Sequence, residues 1–143
     1  MTIFYAGLSF YFLDKYPLFI AEEMAYCDPS INLIETGKSS FTIFHPVGSF
    51  KEISILQHGY ILLYTKALIF KCFGTSIKTL RLESYLAGLA ALVFIYLICQ
   101  NTWLTFLIGM SNPFFIASHS CRPDINICLL ITMIVWLLQD RSS

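Results

Sequence analysis

From Ser84 to Cys121 the chain carries no Asp, Glu, Lys or Arg, an unbroken run of 38 residues. Few folds accept such a run, because a helix on the surface of a soluble domain needs a polar face for water. A helix that crosses ~30 Å of hydrocarbon takes ~20 mostly apolar residues. The run is too long for one crossing and about right for two. Gln100-Asn101-Thr102, near its middle, supplies polar groups for a turn. The expectation is a helical hairpin, with one span over 82–99 and another over 103–119. After Asp124 charge disappears again from Ile125 to Gln139. This shorter stretch, 125–139, reaches across nearly upright if Asp124 and Asp140 mark its two interfaces. Composition agrees: 57% of the residues are hydrophobic and 13% charged, against ~25% charged in ordinary soluble domains. The formal net charge is zero, so no basic field exists to attract nucleic acid. One all-α integral membrane domain is the expected fold class.

The N-terminal segment, Ile3 to Leu13, is short and meets Asp14-Lys15-Tyr16-Pro17. It has neither the basic start nor the small-residue cleavage site of a secretory signal. It reads as a first span over 3–20, one that has lost its start or continues through Pro17 to Ile20. Between Asp14 and Arg81 the composition changes, for this stretch holds six of the nine acids and seven of the nine bases. Prolines and glycines punctuate it with turns. Two parts look helical. In Glu22–Ile34 the pair Asp28-Pro29 reads as a break or as a fresh N-cap followed by proline. Tyr60–Phe73 is apolar, holds Lys66 and Lys71, and stops at Gly74. Its lysines suit an interfacial helix, with stems along lipid and ammonium groups in water; a short tilted span with the same snorkelling lysines is the other reading.

The five cysteines include no C-x-x-C pair. Cys27 and Cys121 alone fall in polar segments on one side of the membrane, where a disulfide between them is open but not the expectation. Three histidines without ligand spacing argue against a zinc site. The hairpin puts the loop 21–81 and the turn Ser118–Asp124 on the same face. Glu22, Glu23, Asp28, His58, His119, Arg122 and Asp124 therefore share one side. An enzyme acting on a lipid-linked head group needs that layout. Solvated loop acids and interface anchors produce it too, because charge avoids lipid.

Several segments resemble a known family. EEMAYCDPSINLIETG, Glu22 to Gly37, is similar to the first extracytoplasmic loop of C-type glycosyltransferases related to family 39. That group includes the dolichyl-phosphate-mannose protein mannosyltransferases and the lipid A aminoarabinose transferases. The shared features are the acidic pair Glu22-Glu23, then Tyr26, then a helix closing at Gly37. The segment His58 to Ile98 resembles the family's apolar helix ending in F-G, its short linker to R-L and its following span. SHSCRPD, Ser118 to Asp124, is similar to a cluster after the third span. The likeness runs from about Glu22 to Asp140 and implies the N-terminal part of a multi-span enzyme.

The resemblance implies transfer of a sugar from a polyprenyl-phosphate donor to an extracytoplasmic acceptor. Glu22 matches the general base, where the family usually has Asp, and Glu23 its acidic neighbour. Arg122 and Asp124 match the cluster lining the site, and Tyr26 and His58 fall on substrate-binding segments. Arg81, opening a span, is placed to meet a phosphate or to anchor the helix. A leaving phosphate needs such positive charge. The family's Pro-Pro turn, with a metal-holding acid in some members, is replaced by Gln57-His58-Gly59-Tyr60, so the sequence does not support a divalent metal. The implied partners are a lipid-linked donor, membrane lipids, and further spans or a partner chain that complete the donor site. Counting Lys and Arg by the positive-inside rule would put the charged face in the cytoplasm; the resemblance puts it outside. Two other classes remain, a non-catalytic membrane subunit with a solvated loop and a small transporter. The latter is disfavoured by the lack of ionisable residues within the spans.

Overall fold

The computed structural model describes residues 2–17, 21–39 and 60–140. Seven helices form there: α1 (Thr2–Phe12), α2 (Ala21–Thr36), α3 (Tyr60–Phe73), α4 (Ile77–Cys99), α5 (Thr102–Met110), α6 (Asn112–His119) and α7 (Asp124–Asp140). Among the described residues there is no strand, so the all-helical expectation holds.

Helix α4 is the axis of the fold. It begins at Ile77, five residues before the expected start of its span, because Ser76 and Thr79 build a reciprocal cap. Ser76 Oγ accepts from the Thr79 N–H at 3.1 Å, and Thr79 Oγ1 accepts from the Ser76 N–H at 2.8 Å. Two orphan donors of the first turn are thereby satisfied. Arg81 and Glu83 consequently lie inside the helix, which removes the premise used above against ionisable residues in a span. With 23 residues, α4 is about 34 Å long. Among the described residues it is the one helix long and apolar enough to cross a membrane; α6 and α7, bent by 112° at their junction, pass that test only when taken together.

The hairpin turns at the polar triplet. Gln100 takes the left-handed conformation (φ 50°), and its N–H donates to the Tyr96 carbonyl at 2.8 Å. Asn101 then caps α5 by accepting from the Leu104 N–H at 3.0 Å. Ser118 meets Gly88 and His119 meets Tyr85, so α5 and α6 run back along α4. The expected continuous helix over 103–119 is broken at Ser111, whose backbone is extended (φ −65°, ψ 139°). Pro113 is the reason. It has no N–H to return to the preceding turn, and proline is accepted only in a helix's first turn. From the α6–α7 turn, α7 runs down α4 in the same direction, with Ile125 near Gly88 and the Trp136 ring 5.6 Å from Phe94.

Other expectations need correction. The Asp28-Pro29 pair neither breaks α2 nor starts a new helix. Proline costs the helix one main-chain hydrogen bond. Here Pro29 is fully buried, and Ser30 beside it donates to the Leu63 carbonyl of α3 at 3.4 Å. Packing on α3 outweighs the lost bond. The first expected span, 3–20, contains a helix of only 11 residues, too short to cross hydrocarbon; residues 18–20 lie outside the described set. Lys66 does not snorkel. It is 3% exposed and shares the buried face of α3 with Leu63, Ala67 and Phe70, whereas Lys71 faces outward. Gly74 ends α3 as expected, with φ 79°, a conformation glycine adopts without steric cost.

The core joins Ala87, Ala91, Leu92 and Ile95 of α4 to Phe114 of α6 and Ile125 of α7. Large apolar side chains such as Leu86, Val93, Leu107, Leu130 and Leu138 point outward instead, giving the helices an apolar outer surface as well as an apolar core. Gly88 sets how closely α4 and α6 approach. A Cβ there would stand 2.6 Å from the Ser118 Cβ, so the backbones must separate to admit it. Gly88→Ala is expected to lower stability by about 1–3 kcal/mol through overpacking, less any gain in helix propensity. Gly7→Ala is the matched control, since nothing lies within 4 Å of its added carbon. Thermal unfolding of the two purified variants in detergent would settle the comparison, and equal midpoints would contradict the close approach.

Candidate functional site

The N-terminal end of α4 gathers the charges that the sequence scatters over a hundred residues. Arg81 is fully buried and grips Glu23 of α2 with two parallel bonds, Nε to Oε1 at 2.8 Å and Nη2 to Oε2 at 2.7 Å. Its Nη1 donates to the carbonyls of Leu13 at 3.0 Å and Pro17 at 2.9 Å, closing the chain that follows α1. Glu23 Oε1 also accepts the Cys121 N–H at 2.9 Å. One carboxylate thus ties α2 to α4 and to the α6–α7 turn, while one guanidinium ties α4 to the end of α1. Such planar, two-pronged pairing is the strong form of a charge-assisted hydrogen bond.

A second buried pair lies nearby. Lys66 Nζ of α3 donates to Glu83 Oε2, with the two side chains 3% and 13% exposed. Burial by itself disfavours the ammonium, but Cys121 and the Glu83 carboxylate hold the Lys66 pKa above the usual lysine range. Positions 81 and 83 are two residues apart, so they leave α4 on nearly opposite sides. One therefore takes its partner from α2 and the other from α3.

The expected site residues divide into groups. Glu23, Arg81 and the turn beginning at Ser118 converge. Arg122 and Asp124 lie on the same turn but pair with each other at 3.1 Å, about half exposed. Glu22 and Tyr26 stand on α2, but their side chains lie outside what is described, and His58 does so altogether. Arg81 does not stand ready for a phosphate, since the contacts above occupy its Nε, Nη1 and Nη2. Likewise, both oxygens of Glu23 accept N–H bonds.

Sequence reasoning passed over Lys66, Glu83 and Cys121 as parts of this cluster. The signal for Lys66 was present: residues 63, 66, 67 and 70 follow the spacing of one helix face. No comparable signal marks Cys121, whose backbone rather than side chain makes the contact with Glu23. His119 closes the turn. It is 1% exposed, stacks on Phe115 at 3.9 Å, and its Nδ1 lies 2.9 Å from the Phe115 carbonyl. That nitrogen therefore carries the proton. Among the described residues no three His, Cys, Asp or Glu side chains gather to hold a metal.

Two thiols border the cluster, Cys27 on α2 and Cys121 on the turn. Burial pushes the Cys27 thiol up to about 11, with Asp28 adding to the effect. Burial pushes Cys121 up to about 12, against the opposing pull of Lys66. Only the thiolate reacts with maleimide. At neutral pH exposed Cys72 is expected to be labelled quickly and Cys27 and Cys121 slowly, in the folded protein. Stability should also fall with rising pH. The unfolded chain releases these protons near 9.0 and the folded one only near 11 and 12, so between those values the unfolded state binds fewer protons. Mass spectrometry of labelled peptides at pH 7 checks the first expectation, and thermal midpoints between pH 8 and 11 the second.

Comparison with family models, with curated proteins and with solved structures yields no match to this chain.

Proposed function

We propose that this chain is the N-terminal, multi-pass part of a membrane glycosyltransferase, moving a sugar from a polyprenyl-phosphate donor to an acceptor outside the cytoplasm. The observation that carries the reading is the Glu23 carboxylate, which accepts from both Arg81 and the Cys121 amide. It seats Glu23 of α2 against the Ser118–Asp124 turn, which supports a transfer site at the membrane surface. In this reading Glu22 is the general base that takes the acceptor's hydroxyl proton. Glu23 and Arg81 are positioning residues that fix the first turn of α2. Arg122, half exposed at the rim, offers positive charge to the departing phosphate, and Asp124 orients Arg122. Tyr26 and His58 contact donor or acceptor. In this reading the spans are α4, the broken pair α5–α6, and α7. The charged face is extracytoplasmic, and further spans or a partner chain complete the donor site.

Membranes holding the chain together with the further spans or partner chain that complete the donor site, incubated with a radiolabelled polyprenyl-phosphate sugar and extracytoplasmic acceptors, should release polyprenyl phosphate above the level of membranes without them. Background release, with that complete assembly present and folded, would reject the enzyme.

One observation favours a second reading. The buried charges satisfy one another, Glu23 with Arg81 and Lys66 with Glu83, which is what a non-catalytic membrane subunit needs to hold α2 and α3 in place. In that case Glu22, Arg122 and Asp124 are solvated and the assay stays at background.

A further inference from the structure

Cys27 and Cys121 belong to one buried cluster with Phe70 and Leu80, although 94 residues separate them in the chain. Their nearness follows from the contact already described. Glu23 Oε1 touches the Cys121 N–H at 2.9 Å, and Cys27 lies four residues beyond Glu23 on α2. Residues four apart on a helix are neighbours on one face, with Cβ atoms ~5–6 Å apart. Cys27 is therefore the next side chain along α2 from the group that touches Cys121. Lys66 lies close enough to both thiols to act on each, which puts them on the same side of α3. Both are free.

We infer that Cys27 and Cys121 are an oxidisable pair whose disulfide would lock α2 to the α6–α7 turn. The oxidant is a small disulfide such as oxidised glutathione. One thiol of the pair, as thiolate, attacks a sulfur of the oxidant and expels one thiolate. The second thiol then attacks the resulting mixed disulfide and expels the other. Two protein thiols lose two electrons and two protons, and one oxidant disulfide becomes two thiols. The groups facing the pair are Glu23 and Asp28 from α2, Lys66 from α3, and Glu83 from α4. Disulfide geometry needs Cα atoms about 4.4–6.8 Å apart, and the shared buried cluster with Phe70 and Leu80 is the observation that places the two thiols in one neighbourhood. The lock would hold α2 in the position that its ion pair with Arg81 already selects. It would operate on a face open to an oxidising compartment.

The test uses the intact chain in detergent micelles. The protein is incubated with oxidised glutathione at pH 8.5, quenched with N-ethylmaleimide, unfolded in more of the same reagent and digested without reduction. Peptides holding Cys27 and Cys121 should appear joined, two hydrogens lighter than their sum, with fragmentation placing the bond at Cys121 rather than Cys99 or Cys128. Exposed Cys72 should carry glutathione in the same sample, which shows that the oxidant was active. Cys27→Ser and Cys121→Ser should each abolish the joined peptide, leaving the remaining thiol as its mixed disulfide with glutathione where it is the attacking thiol and as a maleimide adduct after unfolding where it is the resolving one. Recovery of both thiols in wild-type protein as maleimide adducts, with Cys72 oxidised, overturns the inference. Joining of either thiol to another cysteine also overturns it.

Discussion

Arg81→Met is expected to remove about 3–5 kcal/mol of stability, the usual result of leaving one member of a buried ion pair alone. Arg81 and Glu23 are both 0% exposed, so the carboxylate left behind has no water to turn to. The carbonyls of Leu13 and Pro17 lose their donor at the same time. The double variant Arg81→Met/Glu23→Gln removes both charges and should regain much of the loss, since a buried pair contributes little net stability over neutral groups of similar shape. Thermal midpoints of the two single variants and the double, in the same detergent, form the required cycle. A double variant no more stable than Arg81→Met would show that the guanidinium acts through packing and its carbonyl contacts, not through Glu23.

For catalysis the largest effect belongs to Glu22. If the proposed transfer holds, Glu22→Gln keeps size and polarity, removes the proton acceptor, and lowers turnover by roughly 10²–10⁴, the range typical of general base catalysis. The amount of folded protein should stay close to wild type. Glu23→Gln should behave differently: one oxygen becomes an NH₂ that cannot accept from Arg81, so it should fail first in stability. The informative readout is the split between turnover and midpoint. Low turnover with a normal midpoint marks Glu22 as the base, whereas full activity of Glu22→Gln would end that assignment.

Much of the helical layout was legible because it rests on local chemistry. The missing charges from 84 to 121 announce long apolar helices, the triplet 100–102 announces their turn, and Gly74 announces the end of α3. The failures come from tertiary packing overriding local rules. Pro29 looks like a helix break until Ser30 and Asp28 are seen buried beside it. Lys66 looks like a snorkelling lysine until Glu83 meets it. Pro113 was an overlooked local signal, visible in the sequence and sufficient to divide the expected span. Of the candidate site, the placing of the α2 segment on the same side as the 118–124 turn follows from topology. The bond from Glu23 to Arg81 does not, because no pattern in one sequence tells which of two adjacent acids a buried arginine will take.

The opposite signs of positions 81 and 83 determine how the pieces fit together. Arg81 accepts only an acid and Glu83 only a base, and they face different flanks of α4. Were α3 to occupy the place of α2, Lys66 would come toward Arg81 and Glu23 toward Glu83, two like-charge encounters among largely buried side chains. Helix α4 therefore assigns each neighbour its flank by charge before shape is consulted, and the native arrangement is the one permutation in which neither buried charge meets its own kind.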